Sequence, residues 1–340
     1  FIKLGQMMSQ RADMVGPELA HELESLQADT PADSWAQVQA TIQAELGQPV
    51  EVIFDAFNPI ALASASVGQV HLARLTDGSE VVVKVQHEGI EPKVRSDLNL
   101  LATVAQAAEN SSRDIAHYRP TATVEEFSRS LLRELDFRTE LNNLLTFTRN
   151  FADDPAVHFP KAYPEYSSQR VLTMERIQGY SIAKKERMIA EGIDTKAFAA
   201  LFAGTMLDMV FRDGFYHADP HPGNIFVLPG GRLCLLDCGK VGRVDEKTQD
   251  DFINIVTAFL SGDVDSLTDE LIRLCEVPAD FDRSAYRVDV SDFIGEFSGT
   301  EDLDLSSAFQ YMFAVIRKHH LAVPARVNML MLVIVQIEGT

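Results

Sequence analysis

At 340 residues, 46% hydrophobic and 24% charged, the chain has the composition of a folded globular protein of one large or two medium domains. Its formal net charge of −20 argues against a nucleic-acid-binding surface and against simple electrostatic adhesion to anionic lipid. Three cysteines (Cys234, Cys238, Cys275) are odd in number and lack zinc-site spacing, which points to a reducing compartment and to packing thiols.

The chain starts at Phe1 inside "FIKLGQ", which reads as the interior of a motif, so a fragment of a longer protein is expected; no signal or transit sequence is visible. "VGQVHLARL" (67–75) and "GSEVVVKVQ" (78–86) flank a Thr-Asp-Gly turn and predict an antiparallel hairpin. Lys84 sits inside the second, apolar strand, where a lysine needs a partner or an edge position. Residues 123–151 carry apolar side chains at near-helical spacing and predict one long helix bearing Glu134, Asp136 and Glu140. Six residues apart, at about 100° per residue, Glu134 and Glu140 would face different sides of it. One could meet Lys84 and the other must look elsewhere; Glu134 could also meet Arg138, four residues on.

"RVLTMERIQGYS" (170–181) predicts a strand and a turn at Gly179, and 195–212 is helical and apolar. In "FYHADPHPGNIF" (215–226), Pro220 and Pro222 exclude a helix, so His217 and His221 lose the helical geometry that would aim both at one metal ion. The loop is left with Asp219, a carboxylate able to accept a proton, and Asn224, an amide oxygen able to ligate a hard cation, with Gly223 allowing a tight turn. Two short apolar runs around Pro-Gly-Gly (229–231) then predict a hairpin that returns Asp237 beside Asn224, Gly239 letting the chain leave at a sharp angle. Each feature alone also fits a polar turn or a strand end. A strand lysine, a helix glutamate, a loop Asp with Asn five on and a final Asp-x-Gly, in that order, are the parts of a protein-kinase-type phosphoryl-transfer site. "MLMLVIVQI" (329–337) is too short to span a bilayer and reads as a core helix, and no Walker A loop is present.

These segments resemble the UbiB/ADCK family of atypical protein-kinase-like proteins over essentially the whole chain. "KLGQ" (3–6) is similar to the family's Lys-x-Gly-Gln motif, "ASASVGQVH" (63–71) to its alanine-rich nucleotide loop, and "ELDFRTE" (134–140) to its Glu-x-Asp element and helix glutamate. "HADPHPGN" is similar to its catalytic loop and "LLDCG" to its metal-binding Asp-x-Gly. Two departures stand out: Cys238, where phenylalanine is usual, and Lys240, at a commonly apolar position.

The resemblance implies a bilobal α+β kinase-like fold, with an N-terminal helical extension (1–56), an N-lobe (57–175) and a C-lobe (176–340). It implies ATP and Mg²⁺ as ligands, with Lys84, Glu140 and Asp219 catalytic and Asn224 and Asp237 on the metal. Ala63, Ser64, Ala65, Ser66, Lys84, Glu175 and Ile177 would contact nucleotide, and Lys3 and Gln6 would fold over the site, Lys3 meeting Glu134 and Asp136. Alanines in place of glycines stiffen the nucleotide loop and imply an altered grip. The implied role is an ATPase or regulatory kinase serving ubiquinone or other prenyl-lipid metabolism. Its expected partners are lipid or quinone-pathway enzymes, with a homodimer also open. A cytoplasmic position at the inner face of a membrane is expected, with any anchor beyond residue 340. A small-molecule phosphotransferase of the aminoglycoside or choline kinase type and a nucleotide-binding pseudokinase scaffold remain as alternatives.

Overall fold

The computed structural model describes residues 31–111, 120–275, 277–278, 280–297 and 305–323. They fall into two compact units, one within Phe1–Arg149 and Phe159–Gln178, the other within Asn150–His158 and Gly179–Thr340.

The first unit opens with α1 (Trp35–Leu46), whose start is fixed by a reciprocal capping box between Ser34 and Gln37 and whose end is fixed by Gly47 in the left-handed region. A single turn, α2 (Val50–Ile53), leads into β1 (Phe54–Phe57). Then come β2 (Ala63–Ser64), β3 (Gly68–Leu75) and β4 (Glu80–Gln86), and later β6 (Val171–Glu175) completes a sheet of order β1-β3-β4-β6, with β2 on β3. The pairings are antiparallel throughout. Val81, Val83 and Val85 alternate into one face and close a core with Val38, Ile42, Phe54, Leu75, Tyr163 and Val171. The same period of two sends Val82 and Lys84 to the opposite face. Helices α3 (Ile90–Ser111) and α4 (Pro120–Glu134) pack on each other through Leu98, Phe127 and Leu131.

The single helix expected over 123–151 is two: α4 ends at Glu134 and α5 runs Phe137–Asn150. Asp136 breaks it by acting as a cap, its Oδ1 accepting from Arg138 N at 3.0 Å and its carbonyl from Thr139 N at 2.9 Å. Groups from β4 and from the bend before β6 take over the freed backbone: Gln86 Nε2 donates to Leu135 O at 2.8 Å, and Phe137 N donates to Gln169 O at 2.9 Å. Glu134 and Glu140 therefore belong to different helices, and their orientation is not set by a shared helical period.

In the second unit, β5 (Val157–His158), β7 (Tyr180–Ser181), β9 (Ile225–Leu228) and β10 (Arg232–Leu235) form a sheet of order β5-β10-β9-β7. A separate ribbon pairs β8 (Phe215–His217) with β11 (Val241–Arg243). Helix α6 (Lys185–Ala190) precedes α7 (Thr195–Leu207), which is capped by Asp194 and runs on into a π-helical turn, Asp208–Arg212. Helices α8 (Glu246–Leu260), α9 (Val264–Leu274), α10 (Arg283–Phe297) and α11 (Leu305–Lys318) enclose a core that includes Leu267, Tyr286, Val290, Phe293 and Ile316.

No helix among the described residues is long and apolar enough to cross a membrane. The expected helix at 329–337 and the motif residues Lys3 and Gln6 lie outside the described residues.

Candidate active site

Within the first unit, Lys84 is on β4, which lies between β3 and β6, so it is not an edge lysine. Its Nζ lies 2.7 Å from Glu140 Oε2 and 5.1 Å from the centre of the Phe137 ring. The Glu140 side chain is 7% exposed and that of Lys84 21%, so the pair is sheltered from the screening that makes surface pairs weak. Phe137 and Glu140, three apart on α5, share a helix face, and a carboxylate and a ring reach one ammonium together. Phe137 was not singled out from sequence, although that spacing carries the signal.

Asp136 accepts a two-pronged ion pair from Arg138, 2.8 Å to Nε and 2.6 Å to Nη2, which holds its carboxyl below the usual range. Arg138 thus serves Asp136 rather than Glu134. The alanine-rich segment is a narrow hairpin arm: Ala63 and Ser64 pair with Val70 and Gln69 as β2. Ala65 N donates to Gly68 O at 2.9 Å, and the Ala65 carbonyl accepts from His87 Nε2 at 2.9 Å. Ser66 lies in the bend between β2 and β3. His87 is a bolt that the sequence reading missed, since it lies twenty-two residues away with no local motif. Glu175 ends β6 with its carboxylate accepting from Lys161 N at 3.0 Å, and Ile177 follows half-buried.

Within the second unit, β9 and β10 pair Ile225 with Leu235, and Leu236 N donates to Asn224 O at 2.8 Å. The hairpin therefore sets Asn224 and the Asp237 segment side by side. Asn224 is 7% exposed, and its Nδ2 donates to Asp219 O at 3.0 Å, which turns its amide oxygen the other way. Asp237 itself carries the sharp exit, at φ 52°, and its Oδ1 accepts from Gly239 N at 3.4 Å. A non-glycine residue there is strained, so Asp237, and not Gly239, takes the left-handed turn. Gly223 does not take a left-handed turn either; a Cβ there would lie 2.6 Å from the exposed His221 imidazole, whose Nδ1 accepts from Gly223 N, so a side chain would have to displace that ring.

His217 is fully buried; its Nε2 donates to Leu236 O at 2.9 Å and its Nδ1 accepts from Asp219 N at 3.2 Å. Burial pushes its protonation below the ordinary imidazole range, in keeping with a neutral ring spent on tying the two loop ends together. Asp219 faces Lys240, whose Nζ is 3.3 Å from its carboxylate. Cys234 and Cys238 are buried, and burial lifts the Cys275 thiol to about 11, away from thiolate chemistry. Among the described residues no group of three or more His, Cys, Asp or Glu side chains gathers into a metal cluster. Among the described residues, the Asn224 amide and the Asp237 carboxylate are oxygen donors on adjacent segments.

The family model of the ABC1 atypical kinase-like domain matches residues 25–271. A relative named probable protein kinase UbiB from Aeromonas salmonicida is 32% identical over 346 residues, covering 100% of this chain and 63% of the relative. Its namesake from Shewanella loihica is 38% identical over 291 residues, covering 84% of this chain and 53% of the relative. The chain thus spans less than two thirds of the length of these curated relatives. Among solved structures, Rv3197 of Mycobacterium tuberculosis, in its complex with erythromycin, superposes with a TM-score of 0.68 at 23% identity, over 99% of this chain and 85% of the other. That likeness establishes the fold.

Proposed function

The chain belongs to the ABC1 atypical kinase-like family, and on that footing we propose that it binds ATP with Mg²⁺ and hydrolyses or transfers the γ-phosphate in support of ubiquinone or other prenyl-lipid metabolism at a membrane. The observation that carries the reading is the register of β9 and β10, which sets Asn224 beside the Asp237 segment while Asn224 also grips the backbone of Asp219. An aspartate with an asparagine oxygen suits Mg²⁺, which is bound by few protein oxygens and completes its shell with phosphates and water. When bound, the cation would offset phosphate charge.

In the first unit Lys84, oriented by Glu140 and the Phe137 ring, is offered as a phosphate contact. Ala63, Ser64, Ala65 and Ser66, with Glu175 and Ile177, are proposed to meet nucleotide. In the second unit Asp219 receives the proton of the attacking water or hydroxyl. As the new O–P bond forms, the bond from the γ-phosphorus to the bridging oxygen breaks, and ADP leaves with that oxygen. The relatives named probable protein kinase UbiB support this class of chemistry. Lys3 and Gln6, with Glu134 and Asp136, are proposed to restrict access by protein substrates. Quinone-pathway enzymes, membrane lipid and a second copy of the chain are the proposed partners.

Asp237→Asn tests the reading. MgATP is expected to raise the melting temperature of the parent protein and to leave that of the variant unmoved, with little change in the apo values, because only the liganded state loses contacts. Equal stabilisation of both would refute the metal assignment. Phosphate release from MgATP, measured with and without a prenylated phenol in detergent, is expected to rise with the lipid analogue.

A further inference from the structure

The β8–β11 ribbon pairs Val241 with His217, Gly242 with Tyr216 and Arg243 with Phe215. One hydrogen bond beyond the ribbon, from Ala218 N to Lys240 O at 3.1 Å, carries the register forward and fixes Lys240 opposite Ala218. Gly242 lets the two strands close this tightly, because the Tyr216 ring occupies the space any Cβ would fill. The consequence is local and chemical: Lys240 Nζ is delivered to 3.3 Å from Asp219 Oδ2.

Among the described residues, the two histidines flanking Asp219 do not supply that cation. His217, on the adjoining strand, donates from Nε2 to Leu236 O and accepts at Nδ1, the pattern of a neutral ring. His221, two residues along the same loop, turns its Nδ1 back to Gly223 N. Asp237 adds a second carboxylate to the same neighbourhood, since both it and Asp219 act electrostatically on His217. Two carboxylates close to one buried ring, with one lysine brought in by strand register, form a built arrangement rather than a chance surface pair. With side chains 35% and 23% exposed, the pair is also partly sheltered.

We infer that Lys240 is a positioning residue for Asp219: the residue that leads from Asp-x-Gly into β11, and not the catalytic loop, supplies the cation that holds this carboxylate where it can meet the nucleophile. The inference rests on the nucleotide reading above and adds to it a residue at a position where an apolar side chain is expected. A side chain that aims the carboxylate affects the chemical step more than it affects nucleotide binding, because misplacing a reacting group by a fraction of an ångström is felt in turnover.

The test uses phosphate release from MgATP by the 340-residue chain, with Lys240→Met, Lys240→Arg, Asp219→Asn and the Lys240→Met/Asp219→Asn double variant. Lys240→Met is expected to lower kcat about tenfold, with KM for MgATP within about twofold of the parent. Lys240→Arg, which keeps the charge, should recover most of that loss, and in the Asp219→Asn background Lys240→Met should cost nothing further. An unchanged kcat, equal losses in the Met and Arg variants, or a loss that persists in full without Asp219 overturns the inference. A rise in KM alone does so too, because it would place Lys240 on the phosphates. A parent that is thermally stabilised by MgATP while Lys240→Met turns over normally sinks only the role of Lys240. A parent that is not stabilised by MgATP sinks the nucleotide reading and this inference with it, and one that binds MgATP but neither releases phosphate nor transfers it, with ADP formation as the readout, leaves Asp219 no proton to take and overturns the inference alone.

Discussion

Lys84 shows how far single residues could be read. A lone lysine among valines announces an unmet need for a partner, and the partner is Glu140 at 2.7 Å. Position within the sheet was not legible, because whether β4 is an edge depends on β6, more than eighty residues later. Asp237 could be singled out as a candidate metal ligand, but its strain was not legible, since nothing local in Leu-Asp-Cys-Gly assigns the left-handed turn to the aspartate instead of the glycine. His71 carries a residue-scale prediction. It is fully buried on β3, its Nδ1 donating to Asn58 O at 2.8 Å and its Nε2 facing Gln69 Nε2 at 2.8 Å. Protonation would set two donors against each other there, and burial lowers its affinity for a proton, opposed in part by the Asn58 carbonyl. In the unfolded chain the ring takes a proton near its ordinary value of 6.5. Below that value the unfolded state therefore binds more protons than the folded one, so the contribution to stability is complete above pH 6.5 and is lost as the pH falls toward the folded-state value. His217 is shifted the same way and adds its own slope, so the comparison that isolates His71 is the parent against His71→Gln. The melting temperature of the variant should vary less with pH below 6.5 than that of the parent; parallel curves would mean that His71 takes up its proton as readily in the fold as in the unfolded chain.

At the scale of elements, both hairpins were legible because their turns are local chemistry, Thr-Asp-Gly in one and Pro-Gly-Gly in the other. The break between α4 and α5 was not. Phe127, Leu131 and Leu135 before it and Leu141 and Leu145 after it each keep a helical spacing, and the groups that stabilise the interruption, Gln86 and Gln169, are remote in sequence. Asp136 was the available signal, an N-cap residue type just before an apolar helical start. Gln86 makes the break testable. It is 3% exposed, and its Nε2 is the donor to the Leu135 carbonyl, a group that loses its helical partner where the chain turns. Gln86→Leu keeps the volume and removes the donor, leaving a buried carbonyl to bear its desolvation. Stability should fall by about 1–3 kcal/mol, read as a lower urea midpoint with an unchanged slope. A neutral effect would show that the helix break is held by the Asp136 cap and the Phe137–Gln169 bond without help from β4.

For the whole molecule, the order of motifs was legible because kinase-type chemistry needs a lysine, a glutamate, a loop aspartate with its asparagine and a final aspartate in that sequence, and the family match over residues 25–271 agrees. The N-lobe and C-lobe limits were less so, since residues 150–158 join the second unit by a parallel pairing of β5 with β10 that no local pattern announces. Composition supports a last prediction, about salt. The net charge of −20 means that acidic groups repel one another through a summed field that salt screens beyond a Debye length of about 8 Å at physiological ionic strength. The favourable pairs are short by comparison: Arg95 meets Glu91 at 2.8 Å, Arg283 meets Asp269 at 2.5 Å, and Arg74 meets Asp55 at 2.6 Å. Screening removes long-range terms first, and each exposed pair contributes at most about 1 kcal/mol to begin with. Repulsion should therefore be lost faster than attraction, and the melting temperature should climb as NaCl is raised toward about 0.15 M. A fall over that range would mean that the surface pairs outweigh the net charge. MgCl₂ at matched ionic strength separates this general effect from ion binding: without nucleotide it should act on the parent and on Asp237→Asn alike, since screening does not depend on one carboxylate. Only the addition of ATP should divide the two proteins, because a cation held by Asn224 and Asp237 needs phosphate oxygens to complete its shell.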